Sequence, residues 1–184
     1  MPPTAIRMTT VVAPWGPIHI AVSERGLVAL DNLTSDDDFE AGLRNRFRSE
    51  VEPGSSRLLD KAVSELDDYL RGERTSFTLP IDLADRPDWD RRVLAAVAQV
   101  PWGTTASYGQ LARLVDRPGA ARAAGGAVSR SPIGIVVPCH RVIAADGTLG
   151  GYGGASWDGS VERFLDLKHE LLAMEGLAIP RRRE

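Results

Sequence analysis

Early in the chain, short β-branched and apolar runs alternate with breaks. Segments 9–12, 18–23 and 26–31 are rich in Val, Ile, Leu and Thr, and Pro14-Trp15-Gly16-Pro17 and Glu24-Arg25-Gly26 part them. This pattern predicts three strands joined by tight connections. Segments 36–49 and 56–71 read as helices, and 75–79 as a further strand. A polar, proline-bounded connector at 80–87 then marks a domain boundary. The division predicted is 1–82, 83–180 and a short basic tail at 181–184.

Past the connector the period changes. Asp88 is placed to cap a helix reaching Val100, with the apolar stripe Val93, Leu94, Val97 and Val100. Pro101-Trp102-Gly103 ends it. Ser107 is placed to cap a short helix through Val115, and Asp116-Arg117-Pro118-Gly119 makes a turn. Segment 120–129 is small and helix-compatible, although Gly125-Gly126 weaken it. Two short helices around a Gly-containing turn predict a helix-turn-helix. The second is almost free of bulk, which suits close approach to another surface and equally suits close packing inside the protein.

On a last helix from Val161, one face holds Val161, Phe164, Leu165, Lys168, Leu172 and Glu175. An ion on a core face is costly unless paired. Lys168 can snorkel to solvent. Glu175, just before Gly176, can be exposed at the helix end or can reach inward to orient a histidine. Glu170 falls off the stripe.

Composition narrows the classes. At 184 residues with 43% hydrophobic and 26% charged side chains, the chain can bury a core without staples. A single cysteine excludes an intramolecular disulfide, and no apolar run reaches membrane-spanning length. The start has no basic and apolar leader pattern, so a cytoplasmic location is expected, with nucleoid association in a bacterium. His19, His140 and His169 are scattered without zinc-type spacing. Net charge is −3, yet 107–141 sets Arg113, Arg117, Arg122, Arg130 and Arg141 against Asp116 alone. That segment is either a local phosphate footprint or a solvated helix face.

The chemistry concentrates at Pro138-Cys139-His140-Arg141, where the lone cysteine precedes a histidine. Proline sets its own φ and restricts Val137, so a sharp turn is predicted. A thiol on such a turn beside an imidazole can be held partly as thiolate, the nucleophilic form. A free cysteine is also commonly a small buried hydrophobe, and the pair alone does not decide.

The surrounding residues do. Pro101-Trp102-Gly103, Ser107-Tyr108-Gly109-Gln110-Leu111-Ala112, Ala120-Ala121-Arg122-Ala123, Pro138-Cys139-His140-Arg141-Val142 and Gly151-Tyr152-Gly153-Gly154 occur in that order. Together they resemble the O6-alkylguanine-DNA alkyltransferases, the methylated-DNA–protein-cysteine methyltransferases. The resemblance is specific over about 87–176 and loose before it. It implies an α/β (α+β) chain, with an N-terminal ribonuclease-H-like sheet domain carrying helices. A mainly helical C-terminal domain with a helix-turn-helix of winged-helix type would follow.

It implies repair by direct reversal, with single-turnover transfer of an alkyl group from O6-alkylguanine, and from O4-alkylthymine, to Cys139. His140 would take the thiol proton through a water, Glu175 would orient His140, and Tyr108 would assist the departing guanine. Arg122 would fill the stack as the base flips out, with Ala121, Ala123, Gly125, Ser107 and Arg141 also at the DNA. Tyr108, Val142, Tyr152, Gly153 and Lys168 would line the pocket. The implied partner is double-stranded DNA, bound through the minor groove; no cofactor, metal, membrane or obligate protein partner is implied. Two departures stand out. Ser131 replaces the family's usual Asn eight residues before the cysteine, and 155–160 lengthens the stretch before the last helix.

Overall fold

The computed structural model describes residues 5–152 and 161–181. They form two compact units. One holds the chain up to Ala84 together with Pro132–Gly134, and the other holds Asp85–Ser131 and the chain from Ile135 onward.

In the first unit β1 (Ile6–Ala13), β2 (Gly16–Val22) and β3 (Leu27–Asn32) form an antiparallel meander, and β4 (Val51–Pro53) pairs parallel with β1. The order is β3-β2-β1-β4. Alternation along the strands assigns the two faces. Ile6, Met8 and Ala21 pack with Phe39 and Leu43 of α1 (Asp36–Phe47). On the other face Thr9 and Val11 line a groove with Leu59, Val63 and Leu66 of α2 (Arg57–Leu70). Ser35 and Ser56 start these helices by accepting from Asp38 N and Leu59 N, as N-cap hydroxyls do.

Two sequence expectations change here. Segment 75–79 is not a strand. Its polar groups are taken by Glu65 of α2, whose buried carboxylate accepts from Thr78 N at 2.7 Å, Leu79 N at 3.3 Å and the Thr78 hydroxyl. Those bonds lower the Glu65 pKa against the desolvation that would raise it. β4 had no readable signal, because three residues ending in Pro53 carry little pattern, and proline is tolerated at a sheet edge.

The second unit opens with α3 (Asp88–Val97). Asp88 is not its cap. Pro87 holds that position, its carbonyl accepting from Arg91 N at 3.0 Å, and Asp88 sits in the first turn, where a carboxylate meets the positive helix end. The buried stripe Val93, Leu94, Val97 and Val100 matches the sequence pattern.

α4 (Tyr108–Leu114) begins in a full capping box: Gln110 N donates to Ser107 Oγ at 3.2 Å, and Ser107 N donates to Gln110 Oε1 at 2.6 Å. The turn to α5 (Ala121–Ser129) uses Asp116 at φ 57° and Gly119 at φ 91°. α3, α4 and α5 pack on one another. Two short parallel strands, β5 (Ala106–Ser107) and β6 (Val142–Ile143), join the start of α4 to the end of a 3-10 turn at Cys139–Arg141. α6 (Val161–Met174) closes the unit on Leu167, Lys168, Leu171 and Leu172. The buried face is therefore rotated from the expected stripe, leaving Val161 exposed.

Candidate active site

The 3-10 turn follows from Pro138. Arg141 N donates to Pro138 O at 2.9 Å, and Cys139 N donates to Val137 O at 2.7 Å. The turn buries Cys139, His140 and Arg141 together. His140 Nε2 meets Glu175 Oε1 at 2.8 Å, with both side chains out of contact with solvent. Glu175 lies one residue beyond α6, its amide still bonded to Leu171 O, so the helix end aims the carboxylate inward. Glu170 is exposed.

Arg141 corrects an expectation. Placed at the DNA by resemblance, its guanidinium instead points into the protein. Nε donates to Glu175 at 2.9 Å, Nη2 to Glu175 Oε1 at 2.9 Å and Nη1 to Val100 O at 2.6 Å. The planar donor fork matches a carboxylate edge, and this one is satisfied by protein. Gly103 N adds a further donor to Glu175 at 3.2 Å. Burial alone would raise the Glu175 pKa, but the bonds from His140 and Arg141 bring it down to about 2. Desolvation lowers the His140 pKa against the pull of Glu175, so the ring is neutral at neutral pH and can accept a proton.

Cys139 corrects a second expectation. Burial pushes its thiol up to about 11, so the resting sulfur is protonated rather than partly thiolate. The Ser131 hydroxyl, the Lys168 charge and the backbone oppose that rise without cancelling it.

Lys168 is fully buried and does not snorkel. Its ammonium donates to Val142 O at 2.6 Å, Leu149 O at 2.6 Å and Gly151 O at 3.0 Å, and lies 5.8 Å from the Tyr152 ring centroid. Burial draws its pKa down to about 8. This lysine pins the wall formed by 149–152. Tyr108 donates to the same wall, with its hydroxyl 3.4 Å from Gly151 O. Its ring passes Gly125 and Gly150, where an added Cβ would stand 3.5 and 3.6 Å from ring carbons. Gly150 also has φ 66°, a conformation that favours glycine. Desolvation, then the neighbouring Cys139, raises the Tyr108 pKa and keeps the phenol protonated.

On α5, Arg122 and Ala123 are exposed and Ala121 is half-buried; Ser107 is half-buried at the head of α4. The basic segment is smaller than its composition indicates. Arg130 forks onto buried Asp90 at 2.9 and 2.7 Å, and Arg141 is buried, so the exposed arginines there are Arg113, Arg117 and Arg122 beside Arg130. Gly153 and the 155–160 loop lie outside the described residues. Among the described residues, no group of His, Cys, Asp and Glu could hold a metal ion, and no helix is long and apolar enough to cross a membrane.

Residues 88–177 match the family described as 6-O-methylguanine DNA methyltransferase, DNA binding domain, and residues 6–83 match its ribonuclease-like domain. The chain belongs to the 6-O-methylguanine DNA methyltransferase family. It is 39% identical over 149 residues to a methylated-DNA–protein-cysteine methyltransferase of Mycobacterium bovis, covering 81% of this chain and 85% of that protein. The same-named protein of Mycobacterium leprae is 53% identical over 94 residues, and the match spans 56% of its length. Among solved structures, Mycobacterium tuberculosis OGT in complex with DNA superimposes with a TM-score of 0.74 at 36% identity, covering 93% of this chain and 92% of that one.

Sequence reasoning missed three features of this methyltransferase-family site. They are the Arg141 fork onto Glu175, the Gly103 amide behind it and the Val128 carbonyl 3.9 Å from the Cys139 sulfur. Arg141 carried a signal, because an arginine directly after a Cys-His pair at an apolar turn must either leave the core or be paired within it.

Proposed function

We propose that this chain repairs DNA by direct reversal, taking one methyl or other alkyl group from O6 of guanine, or O4 of thymine, onto Cys139. The observation that carries the reading is the buried His140–Glu175 contact of 2.8 Å directly beside the only cysteine. Cys139 rests as a thiol, so its proton must leave when the alkylated base arrives. Neutral His140 receives it through a water. Glu175 occupies Nε2, so the exchange falls to Nδ1, and the carboxylate steadies the imidazolium that forms.

Sulfur then attacks the alkyl carbon. The C–S bond forms, the C–O bond breaks, and the electron pair leaves with the guanine. Tyr108, kept protonated, donates to the developing anion. The product is a thioether with no easy hydrolytic exit, so each molecule acts once. The occupied sulfur cannot serve as a nucleophile again.

A base inside a duplex must be extruded to reach a buried thiol. Supporting that step, α5 presents Ala121, Arg122 and Ala123 outward with little bulk around the one long cation. Such a surface suits entry from the minor groove, with Arg122 filling the stack.

Intact-mass spectrometry after incubation with an O6-methylguanine duplex tests the chemistry. One methyl per protein, localised to Cys139, is expected; multiple turnover without an adduct would favour a cysteine hydrolase. Arg122→Ala should slow repair of the duplex at least tenfold more than reaction with free O6-benzylguanine, which needs no flipping. Equal losses on both substrates would place Arg122 in folding or in the pocket.

A further inference from the structure

α5 is seated with very little side-chain bulk. Its buried residues are Ala124, Ala127 and Val128, and Ala120 at its start supplies no side-chain cap. Small apolar contacts allow close approach but have no direction, so they do not by themselves fix a helix's rotation or register.

Directional bonds come from two adjacent residues in the first turn of α3. Trp89 Nε1 donates to Ala123 O at 3.2 Å. Buried Asp90 accepts the fork of Arg130, with Nε 2.9 Å from Oδ2 and Nη2 2.7 Å from Oδ1. Ala123 and Arg130, the residue that closes α5, lie about two turns apart on one face. Two bonds so placed fix both the rotation of the helix and its position along its axis. Gly126 belongs to the same arrangement. A Cβ there would stand 3.2 Å from Arg130 Nη1, so the glycine leaves the guanidinium room to fold back onto α3.

We infer that Asp90, acting through Arg130, is a positioning residue for duplex repair: the fork, aided by Trp89, sets the rotation and reach of α5 and so where Arg122 stands when the damaged base leaves the stack. The inference rests on α5 being the helix that faces DNA. Arg122 directly precedes Ala123, so the Trp89 bond acts beside the residue that must enter the duplex. Arg130 is half-exposed, and a surface cation also suits a phosphate. The two roles differ for Asp90→Asn. The amide keeps the shape of the carboxylate but not its charge or its second acceptor. A phosphate contact gains from the freed cation, whereas a mount is lost.

Asp90→Asn and Arg130→Gln, each in the full chain, are compared with the parent protein on two substrates. On a saturating O6-methylguanine duplex the single-turnover rate should fall about tenfold in each, as a small misplacement costs. The duplex concentration giving half that rate should stay within about twofold for Asp90→Asn, which removes no cation. Reaction with free O6-benzylguanine, which needs no flipping, should be unchanged. The double variant should be no slower than the slower single one, since both break the same fork. Trp89→Phe keeps a ring but loses the N–H, and should show a smaller loss of the same kind.

A merely structural role would slow both substrates alike. Equal losses on the two, or an Asp90→Asn protein that repairs the duplex as fast as the parent, would overturn the proposal. So would single effects that add, which would give Arg130 a separate phosphate contact. Arg130→Gln and Trp89→Phe carry the test if Asp90→Asn fails to fold. Amide exchange reads the mount without any chemistry: along α5 it should quicken about tenfold relative to α4 in each fork variant, and unchanged exchange counts against the mount. If exchange behaves as expected while the parent protein takes no methyl from the duplex, the repair reading fails and the mount stands.

Discussion

Arg71 and Arg141 both serve carboxylates, and only the second is built into a site. Arg71, at the end of α2, reaches Asp67, Asp68 and Glu73, all on the surface. Arg141 reaches Glu175 and Val100 O, with both charged side chains buried. By count of partners Arg71 is the richer. Water and salt screen its pairs, and long exposed side chains give up entropy to hold them. Glu175 and its partners are shielded from solvent, so a lost donor there is not readily replaced and each bond is needed. Burial, rather than the number of contacts, separates a surface ion cluster from one that can fix a histidine in place.

That contrast is sharpest in rate. If His140 and Glu175 act as one unit, His140→Ala should slow single-turnover transfer by about 100-fold or more, as general-base losses do. Glu175→Gln should lose most of the same rate, and the double variant should be little slower than His140→Ala. Simple additivity of the two effects would break the relay. Glu170→Gln, at an exposed position, should leave the rate unchanged.

Stability comes next. Arg141→Ala leaves the Glu175 carboxylate buried with fewer donors and should cost about 3–5 kcal/mol in denaturant unfolding. A loss below about 1 kcal/mol would mean that water enters and screens the cluster as it does at the surface.

A smaller effect is expected in acid. The Glu175 pKa is depressed from 4.5 to about 2, so the unfolded state takes up a proton before the folded state does. The contribution is therefore complete above about pH 5 and is lost as pH falls toward 2, amounting to about 3 kcal/mol at most. Unfolding followed between these limits should show that loss in the parent protein, and Glu175→Gln should flatten it. Last, Arg71→Ala should leave the melting temperature essentially where it was. A clear drop would show that the surface cluster is worth more than its exposure allows.

How much was legible beforehand differs between the same two settings. Strands β1 to β3 stood in the alternation of Val, Ile and Thr with turn residues, and α1 and α2 were readable between their breaks, because each is a local pattern. Segment 75–79 has that composition too, yet Glu65 claims its amides, and a side chain 13 residues away leaves no local trace. In the second unit the cap at Ser107 and the stripe of α3 were readable at short range, and the structure added Gln110 to the cap. The placement of Arg141 was not, since its partner lies 34 residues downstream.

The sequence by itself determined that one thiol exists, that a histidine follows it on a proline turn, and that a carboxylate ends the last helix. It also determined the lack of bulk on α5 around Arg122. These are matters of residue type and near spacing. Only the tertiary structure decided that Arg141 turns inward and that Lys168 is spent on three carbonyls. It likewise decided that Cys139 rests protonated. The reason is common to all three. Whether a polar group is charged, paired or exposed depends on how much water is removed around it, and on which distant groups arrive in that water's place.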